Sequence, residues 1–390
     1  MSEFDLTPEE RAMLAAVGAL VDERLEPRSA EIDASAEFPL DFYREVGALG
    51  FFATFVPEEY GGVEVSSRTT LLAVERMARS SAAVALSFGN AGDAVRPILL
   101  GGSEALKKQV LPSIAAGEAI PCFALTEAES GSDAAGMKTR ARRDGDSYVI
   151  DGQKIYITNG SYGDYFTVFA RTSDDARSGV SAFVVPRDAQ GFSFGRNEEL
   201  LGLRGMPATS LNFDAVRIPA DWRLGGEGEG FKLAMAALDE ARLNISAVSL
   251  GLARRALDEA VTFAKGRRSF GKPIIEHQGL GFLLAELAAE LAAAWTLFDR
   301  AVDVFSNRPS RAASAVVSMA KLAATGAAMR ISTEAVQVHG GAGLTRDYPA
   351  ERFFRDAKAF QILDGTTQIQ QLIIARHLNR EAFPYAELNW

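Results

Sequence analysis

Hydrophobic and polar positions change rhythm twice along the 390 residues. The first stretch has helical spacing. Thr7-Pro8-Glu9-Glu10 sets a threonine cap before a proline at the first helical position, with glutamate third, and apolar residues recur every three to four positions through Val21. Pro39-Leu40-Asp41-Phe42-Tyr43 opens a second helix that ends near Gly50, and residues 67–88 and 103–115 carry further helical patterns. The middle shifts to period two. Ser147–Ile150 and Gln153–Thr158 flank Asp151-Gly152, a pairing that predicts a hairpin, and Tyr165–Arg171, Val180–Val185 and Leu211–Ile218 also read as strands. Beyond the flexible joint Gly225-Gly226-Glu227-Gly228-Glu229-Gly230, which lacks the GxGxxG order of a phosphate loop, helical spacing returns. Leu283, Leu287, Leu291 and Trp295 repeat every four residues among alanines, a pattern suited to close helix packing. The expected fold class is therefore α+β. It comprises an N-terminal helical domain (1–118), a small middle β domain (119–225) and a C-terminal helical bundle (226–390).

Composition narrows the chemistry. A net charge of −10 argues against nucleic acid or an anionic membrane as the main partner, while leaving room for local basic pockets. Cys122 is the single cysteine, so no intrachain disulfide forms, which fits a reducing compartment. His277, His339 and His377 are too scattered for a His/Cys metal site, so no metal is expected. The first residues, MSEFDLTPEERAML, show neither a signal-type apolar run nor an arginine-rich transit pattern, and no stretch approaches 18 uninterrupted apolar residues. A cytoplasmic protein is the expectation.

Several short segments could carry chemistry. Leu125-Thr126-Glu127 and Gly131-Ser132-Asp133 offer hydroxyls and free backbone N–H groups suited to an anionic or polar ligand, or simply close a strand with a local turn. Tyr156 and Thr158 fall on one face of a strand. Arg267-Arg268-Ser269-Phe270-Gly271 ends a helix in cations, which compensate its dipole or bind phosphate. Asp364-Gly365 sits between an apolar run and a Thr/Gln cluster. Its local reading is a turn, with Thr366 or Thr367 capping the following helix. Asp93, in Ser87-Phe88-Gly89-Asn90-Ala91-Gly92-Asp93, reads locally as a solvent-facing loop acid, which Arg96 could neutralise.

Taken together, CFALTEAESGSDAAGMKT (122–139), DGQKIYITNG (151–160), LGLRGMPATSLNFDAVRIP (201–219), RRSFGKPIIEHQ (267–278), QVHGGAGL (337–344) and RFFRDAKAFQILDGTTQIQ (352–370) resemble the acyl-CoA dehydrogenase flavoprotein family over nearly the whole chain. The resemblance implies a middle β-barrel or sandwich domain and a C-terminal four-helix bundle. It implies FAD as cofactor, an acyl-CoA substrate, electron-transfer flavoprotein as redox partner and a homo-oligomer, usually a tetramer. It implies flavin contacts at Phe123, Leu125, Thr126, Tyr156, Thr158, Thr366 and Gln368, with Tyr156 standing where relatives commonly have tryptophan. Gly131, Ser132, Arg267, Phe270, Gln337, Gly340 and Gly341 would meet the rest of the dinucleotide, the last three reaching a neighbouring subunit's flavin, while His339 packs. Ser132, Asp239, Arg242 and Gly365 are implied substrate contacts.

The family context turns Asp364 from a turn residue into the base that removes the α proton while the β hydrogen leaves as hydride to flavin N5. Straight-chain relatives carry Glu-Gly-Thr at this place, so the carboxylate here is drawn back by about 1.5 Å, one C–C bond. Other members carry the base just before the arginine matched by Arg242. Here that position is Ala241, and Glu240, about 100° further round the helix, is expected to point elsewhere. In a subgroup acting on alicyclic thioesters an aspartate near Asp93 takes part, so a ring-bearing acyl group and a second acid–base role for Asp93 are open readings. So are a flavin oxidase or monooxygenase on the same scaffold, a dehydrogenase of a carrier-protein-bound acyl group and, from a different class, a flavin-free helical interaction protein.

Overall fold

The computed structural model describes residues 6–176, 178–307 and 311–380. Its N-terminal part is α1 (Pro8–Leu20), α2 (Ser29–Ser35), α3 (Leu40–Ala48), α4 (Ser67–Ala78), α5 (Ala82–Gly101) and α6 (Glu104–Ala115). The capping box at α1 forms as the sequence predicts, with Thr7 and Glu10 bonded reciprocally through side chain and backbone. Glu10 does more than cap. It also accepts from Ser66 N and from the Thr69 hydroxyl at 2.9 and 2.8 Å, tying α1 to the start of α4. Together these donors hold its carboxyl at about 2, although burial pushes the other way.

Two expectations about this part are corrected. The helix expected over 67–88 is two helices, because the Ser81 side chain caps a new start by accepting from Val84 N. The second of these, α5, runs straight through Asn90, Gly92 and Asp93 to Gly101, so Asp93 is a buried helical residue and not a loop acid.

The middle part holds β1 (Pro121–Ala124), β2 (Arg140–Asp144), β3 (Ser147–Thr158), β4 (Tyr165–Arg171), β5 (Val180–Pro186), β6 (Phe192–Asn197), β7 (Ala208–Pro219) and β8 (Arg223–Leu224). They form one sheet in the order β6-β7-β3-β2-β4-β5-β8, with β1 added parallel to β4. The hairpin expected at Asp151-Gly152 is absent. The turn lies one Asp-Gly earlier, where Asp144 faces Ser147 across Gly145-Asp146. Asp151-Gly152 is instead a bulge inside the continuous β3, where the register against β7 shifts. Gly152 is needed there: its φ is +143°, and a Cβ would stand 2.6 Å from Thr139 Oγ1. A second shift follows between Lys154 and Ile157, with Tyr156 at φ 57°, so the even alternation expected of Tyr156 and Thr158 passes through a kink.

The C-terminal part is α7 (Gly230–Gly266), a short ribbon of β9 (Arg268–Ser269) and β10 (Lys272–Pro273), α8 (Gln278–Asn307), α9 (Arg311–His339), α10 (Ala350–Phe360) and α11 (Thr367–Leu378). Helix α9 lies at the centre, and α7, α8, α10 and α11 pack on it. On α8 the repeat Leu283, Leu287, Leu291, Trp295 faces the core, while Phe282 stays 61 % exposed.

Cross-ties join the three parts. Thr167 on β4 donates to the Ala94 carbonyl of α5 at 2.8 Å, and Asn159 after β3 donates to the Ser87 carbonyl at 2.8 Å. Arg355 on α10 makes a paired contact with Asp33 of α2 at 2.9 and 2.7 Å. Asp356 accepts from Leu203 N at 2.6 Å. Gly202 touches the α10 backbone so closely that a Cβ would lie 2.4 Å from the Arg355 carbonyl carbon. Gly202→Ala is therefore expected to cost about 1–3 kcal/mol and lower the melting temperature, with Gly279→Ala, which meets nothing within 4 Å, as the silent control. Equal melting of the two variants would contradict this packing.

Candidate active site

Asp364 lies in the loop between α10 and α11 with φ +48°, followed by Gly365 at φ +92°. Aspartate is among the few side chains that tolerate the left-handed region, and such backbone persists where its surroundings fix it. The surroundings are specific. Leu363 N donates to the Ala359 carbonyl and Thr367 N to the Gln361 carbonyl, at 3.0 and 2.9 Å. Gln370 Nε2 donates to the Gly365 carbonyl at 2.8 Å. Thr366 caps α11 by accepting from Ile369 N at 3.3 Å, as the local reading of the sequence expects.

The strongest constraint comes from α9. Lys321, only 1 % exposed, donates to the carbonyls of Leu363 and Gly365, the latter at 2.6 Å, and so grips the chain on both sides of Asp364. Burial lowers the ammonium's pKa to about 7, against the attraction of Asp364 and with the repulsion of Arg242. Half-buried Asp364 is raised above the ordinary aspartate range by loss of water, and the charges of Lys321 and Arg242 moderate that rise.

A second carboxyl group stands close enough to feel the charge of the first. Asp93, on α5, is 2 % exposed and accepts from Asn90 Nδ2 at 2.8 Å, leaving Oδ1 without a partner. Burial, then the charges of Asp364 and Glu240, raise it well above the usual value.

Glu240 is the third carboxylate, and it faces the Asp93 side of α7. Residues 240, 243 and 244 share one face of α7, and Glu240, Leu243 and Asn244 line a cavity of about 60 Å³ together with Asp93. Arg96 faces Glu240, at 3.8 Å, and not Asp93. Burial pushes the Glu240 carboxyl up to about 7, and Arg96 restrains it. Arg242 turns to the other side of α7. It donates to Asp239 at 2.5 Å, and Asp239 in turn accepts from Ser314 on α9.

The polar loop after β1 is held by a buried ion pair. Lys154, fully buried, donates to Glu127 Oε1 at 2.7 Å and to the Leu125 carbonyl at 3.0 Å. Burial raises the Glu127 carboxyl, but Lys154 and the N–H groups of Lys138 and Thr139 outweigh it and leave it below the usual range. Half-buried Phe123 and Thr126 and exposed Gly131 and Ser132 follow from this fixed base. Tyr156 is 58 % exposed, Thr158 half-buried and Gln368 exposed. Arg267, Gln337, Gly340 and Gly341 are exposed, and Phe270 is 94 % exposed. A Cβ at Gly131, Gly340 or Gly341 would meet nothing within 4 Å. Flat rings, hydroxyls, a free guanidinium and bare backbone are the donor set that a planar, phosphate-bearing cofactor needs. His339 packs: Nδ1 lies 2.7 Å from the Ala335 carbonyl and its ring centroid 4.3 Å from that of Phe263. Among the described residues no cluster of metal ligands occurs.

Sequence reading missed Lys321, Asn90 and Asn244. Lys321 had a signal, as the one charged residue in Ala315–Arg330 short of that arginine.

A helical domain, a sheet domain and a helical bundle meeting around buried carboxylates define a dehydrogenase scaffold of the flavoprotein type. Acyl-CoA dehydrogenase descriptions match it in three consecutive parts, the N-terminal domain over residues 7–118, the middle domain over 122–216 and the C-terminal domain over 228–379. The chain belongs to the acyl-CoA dehydrogenase family, a family of oxidoreductases. It is 39 % identical over 375 residues to an acyl-CoA dehydrogenase of Bacillus subtilis, covering 96 % of this chain and 98 % of that one. It is 39 % identical over 380 residues to a cyclohexane-1-carbonyl-CoA dehydrogenase of Geobacter metallireducens, covering 97 % and 100 %. A glutaryl-CoA dehydrogenase from Mycobacterium smegmatis, solved in complex with FADH2, superposes with a TM-score of 0.89 at 32 % identity, covering 97 % of each chain.

The Glu240 carboxyl yields a stability test. Between the usual 4.5 and about 7 the folded state binds more protons than the unfolded one, so stability contributed by this group falls as pH rises through that window. Glu240→Gln removes the effect. Its melting temperature relative to the parent is expected to rise by roughly 2–4 °C between about pH 5 and about pH 8. A pH-independent difference would contradict the burial assigned to Glu240.

Proposed function

We propose that this chain is an FAD-dependent acyl-CoA dehydrogenase in which Asp364 removes the α proton of an acyl thioester as the β hydrogen departs as hydride, and that the acyl group is alicyclic or otherwise non-linear. The observation that carries the reading is Asp364: a carboxylate in left-handed backbone, gripped on both sides by Lys321 and kept basic by partial burial. An α hydrogen beside a thioester is weakly acidic, and a base with raised pKa in a fixed position suits it. FAD, when bound, supplies the hydride acceptor at N5.

This chain's residues do the rest. Phe123, Leu125, Thr126, Tyr156, Thr158, Thr366 and Gln368 would hold the flavin, with Gly131, Ser132, Arg267 and Phe270 along the dinucleotide. Gln337, Gly340 and Gly341, exposed on this chain, would serve a neighbouring subunit's cofactor in a tetramer. Asp239, Arg242, Ser132 and Gly365 would meet the thioester and its CoA. Electrons would leave to electron-transfer flavoprotein. Support for a compact acyl group comes from the small cavity beside Asp93 and from the relative that acts on a cyclohexane carbonyl thioester. Asp93, its pKa raised by burial and with one oxygen unpartnered, is suited to exchange a proton at a second ring position.

Asp364→Asn is expected to retain FAD and its visible spectrum and to lose anaerobic bleaching by acyl-CoA at least about a hundredfold. Bleaching at the parent rate would return Asp364 to a turn role. Asp93→Asn is expected to slow bleaching by alicyclic acyl-CoAs and to spare linear ones. Equal losses on both would remove Asp93 from the chemistry. Slow reoxidation of the reduced, ligand-bound enzyme in air supports the flavoprotein acceptor, whereas rapid turnover with oxygen would identify an oxidase.

A further inference from the structure

The cavity beside Asp93 is walled by apolar side chains, among them Phe55, Leu71, Val74 and Phe305, yet polar residues line it from three helices, Ser67 and Thr70 on α4, Asp93 on α5, and Glu240 and Asn244 on α7. Helix α5 is cut away to admit the last two. A Cβ on Gly89 would stand 2.2 Å from Asn244 Oδ1, and one on Gly92 would stand 2.9 Å from the Phe55 ring and 3.1 Å from Glu240 Oε1. The two glycines, three apart on α5, thus seat two polar side chains that are four apart on α7. Asn244 is 4 % exposed, and neither its Oδ1 nor its Nδ2 has a partner. Asp93, whose other oxygen accepts from Asn90 Nδ2 at 2.8 Å, likewise leaves Oδ1 unpaired. A purely hydrocarbon acyl group would seal these atoms in without hydrogen bonds, an arrangement that folded proteins rarely keep.

The charge pattern selects among polar groups. An anionic end group would meet the Glu240 carboxylate. A cationic one would find Glu240 already facing Arg96 at 3.8 Å and Asp93 disfavoured as a charge by its burial. A neutral hydroxyl both donates and accepts, and matches an amide that offers one acceptor and one donor group. The volume, about 60 Å³, corresponds to on the order of four to six water-sized positions, enough for a compact group and not for a long chain.

We propose that the cavity selects a compact acyl-CoA bearing a neutral hydroxyl group remote from the thioester, with Asn244 as the specificity-determining residue. This rests on the reading that the acyl group of a thioester substrate enters the cavity beside Asp93. A site built to bond a hydroxyl discriminates strongly against the analogue lacking it, because its own polar atoms are then left unpaired.

The test is anaerobic bleaching of the FAD-loaded enzyme by matched pairs: cyclohexane-1-carbonyl-CoA with its 4-hydroxy derivative, and butyryl-CoA with 4-hydroxybutyryl-CoA. In the parent enzyme the hydroxylated member of at least one pair is expected to show the higher kcat/KM by about tenfold or more. Asn244→Ala, checked for a parent-like flavin spectrum, is expected to bring that ratio towards unity. Equal or better use of the unsubstituted members by the parent enzyme overturns the inference whether or not the variant folds. So does a ratio unchanged in Asn244→Ala. Failure of every thioester to bleach the flavin would instead overturn the dehydrogenase reading on which the inference stands.

Discussion

The site depends on one contact: an ammonium from the central helix of the bundle closing on the two carbonyls that flank an aspartate. Lys321 does not pair directly with the Asp364 carboxylate. It binds Leu363 and Gly365, and its charge reaches Asp364 through space. The arrangement fixes the backbone and leaves the carboxylate oxygens free for a substrate, which a direct ion pair would not. It also sets two opposing influences on the same group. Partial burial makes the carboxylate a stronger base, and the nearby cation limits the rise.

The remaining architecture holds the two ends of that contact in place. Helix α10 reaches the loop with its orientation set by Arg355 on Asp33 and by Asp356 beneath Leu203, so the N-terminal and middle parts both anchor the element that delivers Asp364. Helix α5 is fastened to the sheet at Ser87 and Ala94, on either side of Asn90 and Asp93. Buried acids at a three-part junction oppose folding unless protonated or compensated, and both remedies occur here. Burial favours the protonated form of Asp93, while Glu127 relies on Lys154 and backbone donors.

Much of the fold was legible because it is local. The capping box at Thr7, the strand Tyr165–Arg171 and the four-residue repeat on α8 each follow from side chains within a few positions of one another. Asp151-Gly152 misled because an Asp-Gly pair serves a bulge as readily as a turn, and here Thr139, just before β2, lies where only Gly152 leaves room for it. Asp93 was misplaced for the same kind of reason. Its burial comes from α5 and α7 crossing at two glycines, a non-local fit that no window of sequence contains. The motifs at Thr126, Ser132 and Asp364 were visible only through family resemblance, since each has an adequate local reading as a turn or cap.

The most direct check is the pH dependence of the first-order rate of anaerobic flavin bleaching, in the parent enzyme and in Lys321→Met. A base must be unprotonated to act, so the rate should fall on the acid side through the Asp364 pKa, above the usual aspartate range. Loss of the nearby cation should move that acid limb to higher pH. An acid limb that stays in place when Lys321 is removed, or a rate with no acid limb at all, would contradict the role given to Asp364.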